Sequence, residues 1–352
     1  MAATDFPVNS PLAVKRWSEE LFKEALKKTD ALQFIGKDSN SIVQIKTEVN
    51  KAAGDKITFG IRQQLRGDGI QGDNTLEGNE ESLETYSQSV IIDQLRHAVR
   101  SRGKMSEQRV PFSVRNEGRD GLADWWSDRF DRWFFNQLTG NSGLADTRYT
   151  GNQAATAPDS DHIVYAGAAT ADTSLSNTSS MKFTLDLIDR ALEKGKLAVN
   201  SLRPVMVGSQ KVFVCFLHPY QVTDLRTNTN TGQWLDIQKA AMTGGRVSDN
   251  PIFNGALGMY NGVLLFENTR IPALTDNAGT QNVRRAILLG AQAGCIAFGR
   301  GYGKAVYSWE EELFDYGNQL GIAAGCVGGM VKTRFNGSDF ATVAIDTWAA
   351  AH

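Results

Sequence analysis

Residues 56–66 read KITFGIRQQLR and residues 83–92 read LETYSQSVII, and these two stretches decide the fold. In the first, apolar residues alternate with polar ones, which places Ile57, Phe59 and Ile61 on one face and predicts a half-buried strand about 35 Å long. The glycine-rich segment GDGIQGDN at 67–74 predicts a turn. We therefore predict a long hairpin over 55–95. Because a two-stranded hairpin is marginal alone in water, it must lie on another surface.

The charge around this hairpin is strongly uneven. Residues 67–95 contain seven acids and no Lys or Arg, whereas residues 96–119 contain seven bases and two acids. Complementary potentials of this kind favour a head-to-tail contact between copies of the chain, because they set both register and partner. The alternative is that the two segments are solvated surfaces that happen to adjoin.

A long helix is predicted over 114–138. Its apolar stripe has i+4 spacing and consists of Leu122, Trp126, Phe130 and Phe134. Such a stripe indicates a helix about 37 Å long that packs along a core as a structural spine. An aromatic cofactor box is the alternative interpretation.

The remaining elements follow one another too irregularly for a doubly wound sheet, so the predicted class is α+β. Residues 1–54 predict an arm with an amphipathic helix that opens at Ser10, and residues 139–181 predict a surface insertion. We predict a helix at 184–199, a helical segment at 220–241 and a helix-like glycine-rich stretch at 317–329. Residues 283–298 are predicted to be buried. Strands are predicted at 211–217, 263–267, 305–309, 331–335 and 341–348.

Composition excludes several classes of protein. The 352 residues include 37 Lys+Arg and 39 Asp+Glu, so the net charge of -2 argues against a polybasic membrane binder or a dedicated DNA-sequence reader. Cys215, Cys295 and Cys326 are widely separated, which favours buried thiols over disulfides or a zinc site. The longest apolar run, 322–331, is half of the roughly 20 residues that a membrane span needs, and we expect no membrane contact.

The sequence also lacks the common catalytic motifs. GxxxxGK[ST], HExxH and GxSxG are absent, and in GRGYGK at 299–304 the next residue is Ala305 where a Ser or Thr would bind magnesium. The four histidines have no metal-ligand spacing. We therefore predict no catalytic residue, no metal and no cofactor. An enzyme would need a convergent site that the sequence does not reveal.

The order of these elements resembles the major capsid proteins of tailed double-stranded DNA bacteriophages, which have the HK97-type fold, and in particular a podovirus-like branch. The resemblance covers nearly the whole chain. It is carried by four stretches: GDNTLEGNEESLETYSQSVIIDQLRHAVRS (72–101), DGLADWWSDRFDRWFFNQLTG (120–140), NPIFNGALGMYNGVLLFE (250–267) and WEEELFDYGNQLGIAAGCVGGMVKTRFN (309–336). It implies an N-terminal arm at 1–54, an extended E-loop at 55–95, a P domain at 96–199 with its spine helix, an A domain at 200–298, and a return to the P domain at 299–352.

The resemblance also implies a function, which is self-assembly of hexamers and pentamers into an icosahedral head around double-stranded DNA that is held non-specifically. The implied location is the virion, assembled in the host cytoplasm, and the implied partner is a portal. The sequence leaves open whether decoration proteins attach. Because strands begin by about residue 42, we expect the scaffolding protein to be a separate chain. The alternative is an encapsulin-like shell of the same fold that encloses cargo.

In that family the E-loop lies across the neighbouring subunit, which would supply the surface that the hairpin needs. We therefore predict that acids of the loop meet bases of an adjacent copy, so that charge reversal at Glu80 and Glu81 would impair assembly. The predicted acids are Asp68, Asp73, Glu77, Glu80, Glu81 and Glu84, and the predicted bases are Arg109, Arg115 and Arg119.

Overall fold

The computed structural model describes ten segments of the chain: 30–46, 55–62, 65, 67–83, 85–109, 113–207, 210–228, 257–274, 282–299 and 307–352. Its strands are β1 Ile35–Gly36, β2 Val43–Lys46, β3 Lys56–Arg62, β4 Thr85–Ile91, β5 Asp93–Arg100, β6 Ile163–Tyr165, β7 Val205–Val207, β8 Gln210–Leu217, β9 Gly258–Tyr260, β10 Val263–Glu267, β11 Val283–Leu289, β12 Gly294–Phe298, β13 Tyr307–Phe314, β14 Gln319–Lys332, β15 Arg334–Phe335, β16 Ser338–Asp339 and β17 Thr342–Trp348. Its α-helices are α1 Lys104–Gln108, α2 Val114–Thr139, α3 Thr147–Thr150, α4 Leu185–Leu197 and α5 Pro219–Thr227. The helix predicted near Ser10, residue Glu84, and the whole of the segments 229–256 and 300–306 lie outside the described residues.

The first sheet is organised around β14. The strands run in the order β1-β2-β12-β14-β13, and β5 also pairs with β14. Pairing along β14 is antiparallel, whereas β2 runs parallel to both β1 and β12. The strand β14 therefore joins chain segments that are remote in sequence into one surface.

The prediction that 317–329 is helix-like is wrong, because these residues form most of β14. The strand is nearly free of polar residues and is rich in Gly and Ala, so it shows no alternation of period two. The glycines allow close neighbours: a Cβ at Gly329 would collide with the carbonyl oxygen of Ile91 and approach Val90 Cγ1 to 2.9 Å. Small residues here serve strand packing, not a helix.

The spine helix α2 packs on this first sheet. It begins after Ser113, whose Oγ accepts a hydrogen bond from the Asn116 N–H, and it ends at Gly140 with a positive φ of 64°. All four predicted stripe residues are buried, and the Trp126 ring meets Tyr307 of β13 edge to face at 4.9 Å. Each fully buried side chain of this size contributes about 1.5–3 kcal/mol, so the stripe holds helix and sheet together.

A second sheet has the strand order β6-β17-β11-β8-β10-β9, and β7 pairs with β8. Helix α4 packs on it through Leu185, Ile188 and Leu192, which are buried with the core residues of β8, β11 and β17. The two sheets do not divide the chain at a single position, since β12 lies in the first sheet and the late strand β17 lies in the second. The boundary at residue 298 stays a prediction.

The expectation of a surface insertion over 139–181 also needs correction. Residues Ile163–Tyr165 form β6, which pairs in parallel with β17, and Val164, Ala166 and Leu175 are buried. A three-residue strand inside a segment rich in Gly, Ala, Ser and Thr is too short to show a detectable alternation of polar and apolar residues. This segment therefore completes the second sheet.

The C-terminus of the spine helix is tied to the second sheet by a buried arginine. Arg285 of β11 donates from Nε and Nη2 to the two carboxylate oxygens of Asp346 in β17, each at 2.7 Å. Its Nη1 donates to the carbonyl oxygens of Thr139 and Gly140 at 3.1 and 3.4 Å. Both Arg285 and Asp346 are almost fully buried. The bidentate pair joins β11 to β17, and it orients the guanidinium that donates to the end of the helix.

A second buried network surrounds Asp159, and it predicts acid sensitivity. Burial raises the pKa of this carboxyl, but hydrogen bonds from the Asp339 backbone N–H, the His162 ring and Ser338 outweigh that effect and hold the pKa at about 2. A carboxyl whose pKa is lower in the folded state stabilises the fold above its unfolded pKa of 3.8 and loses that contribution as pH falls towards 2.

We therefore expect Asp159→Asn to be less stable than the wild type at pH 6, with a difference that shrinks between about pH 4 and pH 2. Urea unfolding at a series of pH values would measure it. Stability curves that stay parallel across this range would contradict the prediction.

Candidate inter-subunit surface

The predicted hairpin is present, with strands shorter than expected. Strand β3 pairs antiparallel with β4, from Lys56 opposite Ile91 to Arg62 opposite Thr85. Its base is seated on the first sheet, because Ile57, Val90 and Ile92 are buried against β12 and β14. The rest of the hairpin therefore projects from a fixed root.

Polar and aromatic contacts fix the direction of the hairpin at this root. The side-chain amide of Gln88 donates to the Lys332 carbonyl oxygen and accepts from the Arg334 N–H, both at 2.7 Å. The ring of Tyr86 meets Phe335 edge to face at 4.6 Å. These contacts join β4 to the end of β14 and to β15.

Beyond the strands, residues 67–83 form what we call the acidic loop. Every residue in it is exposed, and it contains five acids and no Lys or Arg. Gly69, Gly72 and Gly78 have positive φ values, which a chain that turns repeatedly requires. The acidic loop is thus an exposed, projecting surface of negative charge.

Two of the predicted acids hold the shape of the loop. Glu81 Oε2 accepts a hydrogen bond from the Gly67 N–H, and Glu80 Oε2 accepts one from the Gly78 N–H, each at 2.7 Å. Asp68, Asp73 and Glu77 are exposed and have no such backbone contact, whereas Glu84 lies outside the described residues. A charge reversal at Glu80 or Glu81 would therefore alter loop conformation as well as charge.

The acidic loop also carries apolar residues that the charge pattern did not reveal. Ile70, Leu76 and Leu83 are 37, 60 and 56% exposed, and Leu65 beside the loop is 57% exposed. Several large aliphatic side chains exposed on one short segment are typical of a surface that another protein covers. The sequence shows these residues as Leu and Ile between acids, but the prediction of the surface rested on the charges alone.

Each of the three predicted bases has a different environment. Arg115 binds Glu311 of β13, with Nη2 to Oε1 at 2.7 Å, and this carboxylate is nearly buried and also accepts from Trp309 Nε1. Arg119 contacts Asp120 beside it at 2.8 Å. Arg109 is exposed at the end of α1. Arg115 and Arg119 therefore each contact an acid outside the acidic loop within the same chain.

The three cysteines are buried and form no disulfide, and burial raises the pKa of Cys215 and Cys326 to about 12, so these two thiols are unreactive at pH 7. No group of three or more His, Cys, Asp or Glu in the described segments could hold a metal ion. No helix among them is long and apolar enough to cross a membrane.

Comparison with known proteins identifies the family of the chain that carries this surface. A family model described as phage capsid protein matches residues 5–351. The chain belongs to this family. The major capsid protein of Pseudomonas phage KPP25 is 29% identical over 346 residues, which cover 91% of this chain and 89% of that protein. The resemblance seen in the sequence is confirmed.

Solved structures agree with this assignment of the capsid protein. The capsid of Ralstonia phage GP4 is 35% identical, with a TM-score of 0.77 and 99% of each chain covered. The capsid asymmetric unit of Cyanophage Pam1 is 21% identical, with a TM-score of 0.74 over 93% of this chain and 94% of that chain, which shows the fold.

The predicted α+β, HK97-type fold and the predicted function of a phage major capsid protein are therefore confirmed. A capsid protein acts as many copies in the shell of the virion, which is a structural role. The alternative of a cargo compartment is not favoured, because these relatives are phage capsid proteins.

Proposed function

We propose that the acidic loop of each capsid subunit lies across a neighbouring subunit, and that hexamers and pentamers joined in this way form the icosahedral head around double-stranded DNA. The observation that carries this proposal is the loop itself, in which 17 consecutive exposed residues, 67–83, contain five acids and no base. An isolated chain gains nothing from such a segment. A neighbouring copy that covers it buries the exposed aliphatic side chains and compensates the charge.

In this arrangement the first sheet and the spine helix correspond to the P domain, the second sheet to the A domain, and the hairpin to the E-loop. The rigid root at β14 supports the proposal, because a loop that is aimed in one direction loses less entropy on docking than a free one. Arg109 is exposed and suits a partner role, whereas Arg115 already binds the nearly buried Glu311.

The further partners are a separate scaffolding protein, a portal and decoration proteins. Packaged DNA would be held non-specifically, and the net charge of -2 supports a wall that encloses DNA without binding it tightly. Co-expression with candidate scaffolding proteins of the same phage, followed by electron microscopy, would test the first of these partners. Regular heads that form equally well without any scaffolding chain would contradict that part.

The loop contact is tested by reversing charges that do not shape the loop. We expect the double variant Asp73→Lys/Glu77→Lys to fold normally but to form few or no shells, because both side chains are exposed and make no backbone contact within the loop. Light-scattering mass, circular dichroism and negative-stain imaging would measure assembly and folding together.

The matched control is Asp161→Lys/Glu193→Lys, which reverses two exposed acids outside the loop and changes the net charge by the same amount. This control should assemble like the wild type. Normal shells from the loop variant, or equal loss of shells in both variants, would contradict the proposal.

A further inference from the structure

A cavity of about 590 Å³ between the spine helix and the second sheet is lined by cationic side chains. Arg132 comes from the spine helix, Arg270 follows β10, and Arg284 lies in β11. The apolar residues Leu144 and Ile271 form part of the same wall. Three arginines around one cavity raise the question of what balances their charge.

Two of these arginines are balanced by acids of the spine helix. Arg132 Nε donates to Asp128 Oδ2 at 2.6 Å. Arg270 donates from Nε to Asp128 Oδ1 at 3.1 Å and from Nη1 to Asp131 Oδ2 at 2.9 Å. Two guanidinium groups thus face two carboxylates, and the charge of Arg284 is left to be balanced.

Arg284 has no acid partner among the described residues. Its Nε is buried without a hydrogen-bond acceptor, and its guanidinium carbon lies 5.7 Å from the centre of the Tyr220 ring. Burial lowers the pKa of Arg284, while the Tyr220 hydroxyl only partly opposes this effect. An unpaired, partly buried guanidinium is costly, and a bound anion would remove that cost.

His218 supplies a second donor to the same cavity. The ring is 8% exposed, and its Nδ1 accepts a hydrogen bond from the Tyr220 N–H at 3.2 Å. A neutral ring therefore carries its proton on Nε2, which donates to no described residue. Burial and the nearby charge of Arg284 lower the pKa of His218 to about 4, so the ring is neutral at pH 7.

We propose that this cavity binds a phosphate oxyanion through the guanidinium of Arg284 and the Nε2–H of His218. The oxygens of phosphate would accept hydrogen bonds from the terminal guanidinium nitrogens of Arg284 and from His218 Nε2, and the negative charge would compensate Arg284. Inorganic phosphate and the phosphodiester of DNA share this chemistry. None of the residues that line the cavity belongs to the acidic loop.

Full-length capsid protein is titrated with inorganic phosphate at pH 7 and constant ionic strength, with chloride as the replacement anion. Phosphorus NMR line width and the midpoint of thermal unfolding report binding. We expect Arg284→Gln to weaken phosphate binding about ten- to a hundredfold, because a hydrogen bond to a charged group is lost. Arg148→Gln, which changes a 70% exposed arginine outside the cavity lining, is the matched control and should bind like the wild type.

His218→Asn is the second variant, in case Arg284→Gln fails to fold. Asparagine can still accept the capping hydrogen bond at the start of α5, but it cannot place a donor where Nε2 lies, so binding should weaken without loss of the helix. Short duplex DNA is then added to the phosphate complex. Displacement identifies the DNA backbone as the natural source, and no displacement identifies free phosphate. A wild type that does not respond to phosphate, or variants that respond equally, would overturn the proposal.

Discussion

Replacement of Arg285 with alanine should lower the free energy of unfolding of this capsid protein by about 3–5 kcal/mol, the typical cost of breaking a buried pair. The substitution leaves the Asp346 carboxylate buried without its bidentate partner. It also removes the donor to the Thr139 and Gly140 carbonyl oxygens, which lie at the C-terminal end of the spine helix. Because native domains are stable by only about 5–15 kcal/mol, a loss of this size removes a large share of the total stability.

Urea unfolding of the unassembled protein, followed by tryptophan fluorescence, measures this effect. The companion variant is Arg285→Met/Asp346→Leu, which removes both charges and fills the same space with apolar groups. It should be more stable than Arg285→Ala, because an apolar pair avoids the unpaired buried carboxylate. An Arg285→Ala protein that unfolds at the wild-type urea concentration would show that the pair does not stabilise the fold.

The second large effect is expected at Gly329, where alanine should displace the hairpin from the first sheet. The new Cβ would meet backbone atoms of Ile91, which cannot rotate away as a side chain can. Overpacking of this kind costs about 1–3 kcal/mol. It would also free the root of the hairpin, so that the acidic loop is no longer held in one direction and shells fail to form.

Hydrogen exchange at β4 and particle counts by electron microscopy check the two parts of this prediction. The matched control is Gly121→Ala in the spine helix, where a Cβ meets nothing within 4 Å. There alanine should stabilise the protein by about 0.5–1 kcal/mol, since glycine is a poor residue in a helix interior. Normal assembly and unchanged exchange in Gly329→Ala would contradict the steric argument.

The elements predicted well from sequence are those whose period is long and whose polar and apolar faces differ. The spine helix extends over Val114–Thr139 against a prediction of 114–138, because its i+4 stripe repeats over several turns. The hairpin was found through the alternation of Ile57, Phe59 and Ile61. In both elements, one face is covered and the other is polar.

The elements predicted badly lie where tertiary contacts replace local pattern. Strand β14 has neighbours along both edges, so its small apolar residues carry no alternation to identify it. Strand β6 is three residues long and exists because β17 lies beside it. No local pattern encodes a partner that is more than 170 positions away in the chain.

The charge pattern predicts the inter-subunit surface, but the roles of the residues within it depend on geometry. Glu80 and Glu81 look like Asp73 and Glu77 in the sequence, yet the structure shows that they hold backbone N–H groups of the loop. Likewise, the pairing of Arg115 with Glu311 joins residues 196 positions apart. Charge counting gives the sign of a surface, whereas the three-dimensional fold decides which charges are available to a partner.

The seating of the hairpin on β14 has a consequence for the timing of synthesis. The hairpin ends near residue 92, whereas the strand beneath it is completed at Lys332, so at about 5–20 residues per second a ribosome finishes this strand roughly 10–50 s later. During that interval the hairpin has no completed sheet to pack on, and a two-stranded hairpin alone is only marginally stable. Unfinished chains therefore cannot present the acidic loop in its fixed direction. Under the proposed loop contact, incorporation into a growing shell would be restricted to chains whose synthesis is nearly complete.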